Sequence, residues 1–466
     1  MHPLLEARSE SRKVTARYDV IVAGGGTAGS VAAIAAARMG ARTLLVEEQG
    51  FLGGTATGAL VTPLMPNRLN GANLNRGITD EIKRRLRARG AGGETPENDG
   101  WFDPEGLKSV LEEMAVESGV LLLYHTRLID AVVEQGPDGR RRVVGALVHN
   151  KAGLQRMDAT VFVDATGDAD LAAAAGCQWE GGGEDGTRQA LSLRWIAGGI
   201  DVPRLARFVE ELGGHRWPPG YFESAMVWGR GHVLEPVFRR AVEAGDLEES
   251  DGDYFQCFSI PGRPDALAFN CPRIAERVDG LDPWDLTRAH IVGRRAIDRL
   301  VRFLRGYLPG CERAYVQQVA PMVGVRESRR VLGDYVLTLE DILTGRKFDD
   351  AVARNRYPVD IHLVRPGGRT RSTLEHGDAR RPPEGDYHEI PYRCLLPRGV
   401  EGLLVAGRCI SATFVAQSAV RIQPNCHSLG QAAGTAAALA TREGIAPRQV
   451  DGVRLRRVLR EQGADL

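Results

Sequence analysis

One stretch near the start of the chain constrains it most. Tyr18-Asp19-Val20-Ile21-Val22-Ala23 runs into Gly24-Gly25-Gly26-Thr27-Ala28-Gly29 and then into the alanine-rich segment Ser30 to Met39. An apolar run with strand character enters a glycine turn, and a segment with helical character leaves it. Gly24, Gly26 and Gly29 stand in the G-x-G-x-x-G spacing. In such a unit the first glycine lets the chain turn tightly and the second lets backbone N–H groups approach a pyrophosphate. The third lets the helix pack close to the strand. The helix N-terminus adds unpaired N–H donors and partial positive charge at the same place. Three glycines alone say little in a chain that holds 56, so context decides. Gly40 closes the helix and Thr43-Leu44-Leu45-Val46 reads as a second strand. Glu47 ends it about 20 residues after the turn, where an acid meets a ribose in such units. The stretch predicts a dinucleotide site.

With 466 residues, two or three domains are expected. Formal net charge is zero, so no global field draws the chain to nucleic acid or to an anionic membrane. The seven cysteines, at 177, 257, 271, 311, 394, 409 and 426, include no C-x-x-C pair. That spacing argues against a disulfide framework, a zinc site and an iron–sulfur cluster, and for a reducing compartment. No metal site is expected. Met1 to Arg17 is polar and lacks the apolar stretch of a secretory signal, and no run of about 18 apolar residues is present to span a bilayer. Cytoplasm is the expected location. Expected partners are a small-molecule substrate and, if the chain self-associates as a homo-oligomer, its own copies; nucleic acid and membrane are not expected.

Along the chain, residues 1–16 read as a loose tail. Phe51-Leu52-Gly53-Gly54-Thr55 leaves little side chain in the way of a ligand approaching the backbone. Thr79 to Ala88 reads as a helix, and a second has Asp103 as N-cap, Pro104 in its first turn and Gly119 at its end. Val120–Tyr124, Thr126–Glu134 and Val143–Val148 read as three meandering strands, with turns at Pro137-Asp138-Gly139 and Lys151-Ala152-Gly153. Val161-Phe162-Val163 then ends in Asp164-Ala165-Thr166-Gly167-Asp168, small residues and carboxylates at the end of a parallel strand. There Asp168 is placed to accept hydrogen bonds from a hydroxyl chain, or else caps the next helix.

From Gly181 to about Val319 the α/β rhythm stops, and Gly181-Gly182-Gly183 reads as a hinge or linker. Trp195, Trp217, Trp228 and Trp284, four of the six tryptophans, fall in this region. They point to a substrate-side domain with aromatic walls, core packing being the commoner role of such rings. A polar loop after His362, running to Gly385, is expected to fold over a site. A long helix starts near Pro424, with Gly430 and Gly434 on one face, and His427 on it reads equally as a core histidine.

Taken together, these pieces resemble the FAD-dependent oxidoreductase family. The resemblance runs from Tyr18 to about Arg442 and weakens between about Ala197 and Val319. Its motifs are Phe51-Leu52-Gly53-Gly54-Thr55, Val163-Asp164-Ala165-Thr166-Gly167-Asp168, Gly324-Val325-Arg326-Glu327-Ser328-Arg329-Arg330 and Pro358-Val359-Asp360-Ile361-His362. Ile390-Pro391-Tyr392-Arg393, Leu404-Val405-Ala406-Gly407-Arg408-Cys409-Ile410-Ser411 and Leu429-Gly430-Gln431-Ala432-Ala433-Gly434 complete them. The implied fold is α/β: a Rossmann-like FAD-binding domain, a parallel sheet with an inserted antiparallel meander, over 17–185 and 386–466. An α+β substrate or cap domain would occupy 186–385.

The resemblance implies FAD in an extended pose. Gly24, Gly26, Thr27, Ala28 and Gly29 would hold the pyrophosphate and Glu47 the adenosine ribose, with Glu48 and the Leu128 backbone toward adenine. Gly53, Gly54 and Thr55 would lie along pyrophosphate and flavin, and Ala165, Thr166, Gly167 and Asp168 at the ribityl or phosphate end. Gly407, Arg408 and Cys426 would sit near the flavin. Two departures from the family pattern are Glu48, where a basic residue is common, and Gln417 to Arg421, where glycine is favoured.

Only one dinucleotide turn is present, and the last flavin strand ends in Gly407-Arg408 where aromatic hydroxylases usually carry Gly-Asp. The expected activity is therefore a dehydrogenase or oxidase, passing a hydride between a small organic substrate and flavin N5. Arg326, His362 and Arg421 are the candidates for anchoring substrate or moving a proton. The competing readings are an FAD monooxygenase fed by a separate reductase and an electron-transfer flavoprotein subunit.

Overall fold

The computed structural model describes residues 14–136, 139–365, 367–377 and 379–466. Its central sheet grows from the glycine turn. Strand β1 (Val14–Ala23) leads into helix α1 (Thr27–Arg38), which returns to strand β2 (Thr43–Val46) parallel to β1. Helices α2 (Ile78–Ala88) and α3 (Pro104–Glu117) follow, the latter capped by the Asp103 carboxylate, which accepts from the Glu105 and Gly106 amides. Strand β3 (Leu121–Leu123) then joins the sheet beside β2, also parallel.

This is a first difference from the sequence reading. The segment after Gly119 is the edge of the parallel sheet, and the meander consists of β4 (Arg127–Gln135), β5 (Arg141–Asn150) and the start of β6 (Gly153–Asp164). Pro137 and Asp138 of the predicted turn lie outside the described residues, as does most of the predicted tail. Residues 14–16 of that tail already belong to β1. Strand β6 serves both patterns. Its first half pairs antiparallel with β5, while its last residues, Phe162 to Asp164, pair parallel with β7 (Leu403–Val405). The parallel order is β3-β2-β1-β6-β7.

Register fixes where ligands can lie. Ala23 pairs with both Val46 and Asp164, Val46 with Leu123, and Asp164 with Val405. All five strands therefore end level, and the segments after them collect at one edge, the carboxyl edge where α/β sheets bind ligands. Helix α5 (Gln423–Glu443), after the short α4 (Phe414–Val420), lies against α1. Its glycines make this approach workable: a Cβ on Gly430 or Gly434 would lie 2.2 or 2.0 Å from the carbonyl oxygens of Ala28 and Ala32.

A second core, from Leu191 to Val323 with Leu60, packs around a five-stranded sheet, Glu223–Met226, Phe255–Ile260, Arg263–Phe269, Trp195–Gly198 and Tyr315–Val319 in spatial order. Val331, Leu337, Ile342, Val352, Val359 and Ile361 instead pack in the first core. The second core thus closes well before 385, because a segment assigned to the cap returns to the nucleotide fold. Gly181 to Gly183 form no hinge: Trp179–Gly181 pairs with Arg329–Val331, and the Gly182 amide donates to Glu327. Nor do the tryptophans wall a site. Trp195 is fully buried against Phe269 at 4.4 Å, Trp217 meets Trp101 edge-on, and Trp284 is 80% exposed.

Candidate active site

The glycine turn forms a cradle at the carboxyl edge. Gly24 has φ +90°, and a Cβ there would lie 2.7 Å from the Ala165 carbonyl oxygen. A Cβ on Gly29 would lie 1.8 Å from the Gly24 carbonyl oxygen. Gly26 differs, for a Cβ there would meet nothing nearer than 3.8 Å. The first and third glycines are thus required by the fold, while the middle one faces open space. As N-cap of α1, Gly26 offers no side-chain acceptor to the first-turn N–H groups of Thr27, Ala28 and Gly29. Across this space the Gly53 amide donates to the Gly25 carbonyl and the Thr27 hydroxyl to the Gly53 carbonyl. Gly54 sits so close that its Cβ would lie 2.7 Å from the Gly26 Cα, and Thr55 continues the same short turn.

The Glu47 carboxylate, half-buried at the end of β2, accepts from the amides of Gly25 at 2.6 Å and Gln49 at 2.7 Å. Burial raises its pKa against the pull of these amides. Glu48 turns outward and pairs with Arg127 at 3.6 Å, beside Leu128 on β4. At the end of β6, the Ala165 amide donates to the Ala23 carbonyl. The buried Asp164 accepts from the Thr166 amide and hydroxyl and from the Ala172 amide, which fixes the loop, and burial pushes it up to about 6.

Asp168 does not cap the following helix, whose N-cap is Ala169. Its carboxylate accepts from Arg408 at 2.8 Å and from the Ser328 hydroxyl. Gly167, at φ +82°, leaves room for Arg408, whose Nη2 would be 2.8 Å from a Cβ there. Gly407 lies against Ala28, and the buried Cys426 directs its thiol to the Arg421 carbonyl, its pKa pushed up to about 12 by burial. Every cofactor-site candidate except Leu128, Glu48 and Cys426 therefore lies in or directly beside the cradle.

The three catalytic candidates also meet. His362 Nε2 stands 3.0 Å from Asp360, whose other oxygen accepts from the Ser372 hydroxyl at 2.8 Å. Arg421 donates to the Asp360 carbonyl at 3.1 Å. Arg326 donates to the Ala190 carbonyl and to the Ser192 hydroxyl. Gln417 ties this cluster to the cradle, donating to the carbonyls of both Arg326 and Arg408 at 3.2 Å. The polar loop predicted to fold over a site contributes Ser372 and also Glu375, which pairs with Arg273. A surface cavity of about 530 Å³, lined among others by Arg346, Asp350, Arg393 and Arg448, contains none of the candidate residues.

Sequence reasoning passed over Asp360, Arg194, Arg273 and Ser328. Asp360 and His362, two apart in an extended segment, share a face, and that period was available in the sequence. Arg194 follows Ser192 by the same spacing. Ser328 stands in the Gly324 to Arg330 motif with no role of its own assigned there, and nothing local marked Arg273, which arrives through distant pairing.

A family model, described as FAD dependent oxidoreductase, matches residues 19–459. The chain belongs to this family. FAD is accordingly its cofactor. The cradle fits one: bare amides at the start of α1, open space before Gly26 and a carboxylate at the end of β2 are the parts that grip two phosphates and a ribose. No curated protein sequence matches the chain.

Among solved structures, a geranylgeranyl bacteriochlorophyll reductase-like protein from Thermoplasma acidophilum is 14% identical, with a TM-score of 0.45 over 96% of this chain and 84% of that one. The flavin-dependent brominase Bmp2 is 16% identical, TM-score 0.44, over 96% and 83%. The p-nitrophenol 4-monooxygenase PnpA from Pseudomonas putida is 14% identical, TM-score 0.44, over 94% and 83%. Among the described residues of this family member, no helix is long and apolar enough to cross a membrane, and no cluster of His, Cys, Asp and Glu is placed to hold a metal ion.

Proposed function

We propose that this oxidoreductase is of the dehydrogenase or oxidase type, moving a hydride between a small organic substrate and flavin N5. The FAD pyrophosphate would lie before Gly26 and the amides of Thr27, Ala28 and Gly29, with the ribose at Glu47. Gly53, Gly54 and Thr55, and Thr166 to Asp168 with Arg408, would flank the remainder. When bound, FAD supplies the two-electron redox chemistry.

The observation that carries the reading is the state of His362. Its Nε2 is held by Asp360, while its Nδ1 is buried and without a partner among the described residues. Burial, with Arg326 beside it, holds the imidazole well below its ordinary pKa, so it rests neutral. A neutral imidazole oriented by a carboxylate through one nitrogen presents the other as a proton acceptor. Burial alone would raise Asp360, but the charge of Arg421 and the hydrogen bonds that Asp360 accepts from the neutral ring's Nε2–H and from Ser372 hold it below the usual carboxylate range. His362 would take the proton from a substrate O–H or N–H as hydride leaves the adjacent carbon. Arg326 and Arg421 would orient the substrate and steady negative charge on its oxygen. The seven buried free cysteines suit a cytoplasmic setting, where thiols stay reduced.

Anaerobic incubation of holoenzyme with alcohols, amines and 2-hydroxy acids tests the reading. A two-electron-oxidised product, formed in equal amount to the flavin, is expected. A hydroxylated product that forms only with oxygen and a separate reductase would overturn it.

A further inference from the structure

We propose that Arg194 and Arg326 form the seat for the carboxylate of a small organic acid, so that the substrate is anionic; the inference rests on the redox reading above. The pairing of extended segments places the relevant side chains. Ser192 bridges to Arg273 on one side and to Gly324 on the other, and Gln189 bridges to Leu363. Alternate residues of paired strands share a face. Ser192, Arg194, Arg273, Arg326, Asp360 and His362 therefore face the same way, and the Arg326 to Ser192 hydroxyl contact at 3.0 Å agrees.

Charge on that face is unbalanced. Arg273 is paired with Glu375, and Arg421 lies 4.0 Å from an Asp360 oxygen. Arg194 and Arg326 have no carboxylate partner among the described residues. Among the described residues Arg194 donates to the carbonyls of Thr62 at 3.2 Å and Leu60 at 3.5 Å, and Arg326 to the Ala190 carbonyl and the Ser192 hydroxyl. Arg194 is half-buried, its guanidinium held against the Thr62 and Leu60 carbonyls. Burial pushes its pKa down to about 10. An enclosed cation without a counter-charge is strongly unfavourable, and a guanidinium's planar donors match the two oxygens of a carboxylate. A carboxylate seated there sets its neighbouring carbon on the face that carries His362.

Holoenzyme is titrated with acetate, lactate, malonate, succinate and glutarate at constant ionic strength, with inorganic phosphate and succinamide alongside. The flavin's visible spectrum and the melting temperature are read without turnover. At least one carboxylate is expected to perturb the spectrum saturably and to raise the melting temperature. Phosphate should need at least about tenfold more, and succinamide should do nothing. Arg194→Gln and Arg326→Gln should raise the half-saturation at least about tenfold with FAD content unchanged, and Arg194→Lys by less. Arg194→Met should melt no lower than wild type without ligand, since an unpaired buried charge is gone, yet lose the ligand-induced rise. A panel without effect, phosphate binding tighter than every carboxylate, or Arg194→Gln binding like wild type would each overturn the proposal. So would an Arg194→Met protein destabilised like one that has lost a structural ion pair. Flavin that no acid reduces would sink the redox reading and leave these titrations standing.

Discussion

His362 Nε2 lies 3.0 Å from an Asp360 carboxylate oxygen, and both groups are buried, at 6% and 8% exposure. That contact fixes the ring by one nitrogen and leaves Nδ1 for chemistry. His362→Gln should lower kcat by about 10²- to 10⁴-fold, the range for a lost acid–base group, with flavin content intact. Because the wild-type imidazole is already neutral, the reduction rate should show no midpoint near about 6.5, the ordinary histidine value. Anaerobic stopped-flow across that range checks both expectations.

Gly26 and Gly434 should respond to substitution in opposite ways. Gly26 has an extended backbone, with φ −68°, and an empty approach, so Gly26→Val should fold, melt close to wild-type apoprotein and be colourless. A fall of at least about 100-fold in FAD affinity, about 2.7 kcal/mol, is expected. Gly434→Ala would set a methyl 2.0 Å from the Ala32 carbonyl oxygen, a clash between two backbones. It should cost about 1–3 kcal/mol or more of stability. Flavin content and urea denaturation separate the two outcomes.

Acid should loosen the fold through its buried histidines. Burial holds His388 down to about 4 and His427 down to about 3. Both fall below the unfolded value of about 6.5, so unfolding takes up protons and stability drops as pH falls from there, by about 1.4 kcal/mol per pH unit for each ring. Asp164, raised to about 6, has the opposite sign, since the folded chain binds its proton first. In His427→Gln the stability difference from wild type should therefore shift in the variant's favour by about 1.4 kcal/mol per pH unit from about pH 6.5 to 4. Urea midpoints at three values in that window test this.

Much of this arrangement is legible in the chain because its signals are local. The β1–α1–β2 unit, the Asp103 cap and the glycine face of α5 each rest on residues within one or two turns. What escapes depends on distant pairing. Leu121 to Leu123 look the same whether they start a meander or edge a parallel sheet, and only β2 decides. Arg194 and Arg273 come from segments of no motif, joined through Ser192. The return of Val331 to Ile361 to the first core has no local mark either, since its apolar residues suit either domain.

The most direct test of the central claim follows hydrogen itself. Holoenzyme is mixed without oxygen with a 2-hydroxy acid that binds it, once in ordinary form and once deuterated at the carbon beside the carboxylate. The account predicts complete bleaching by the small molecule alone, severalfold slower with deuterium, and slowed further in His362→Gln. Equal rates for the two isotopic forms, or a band that only a partner protein can bleach, would contradict it.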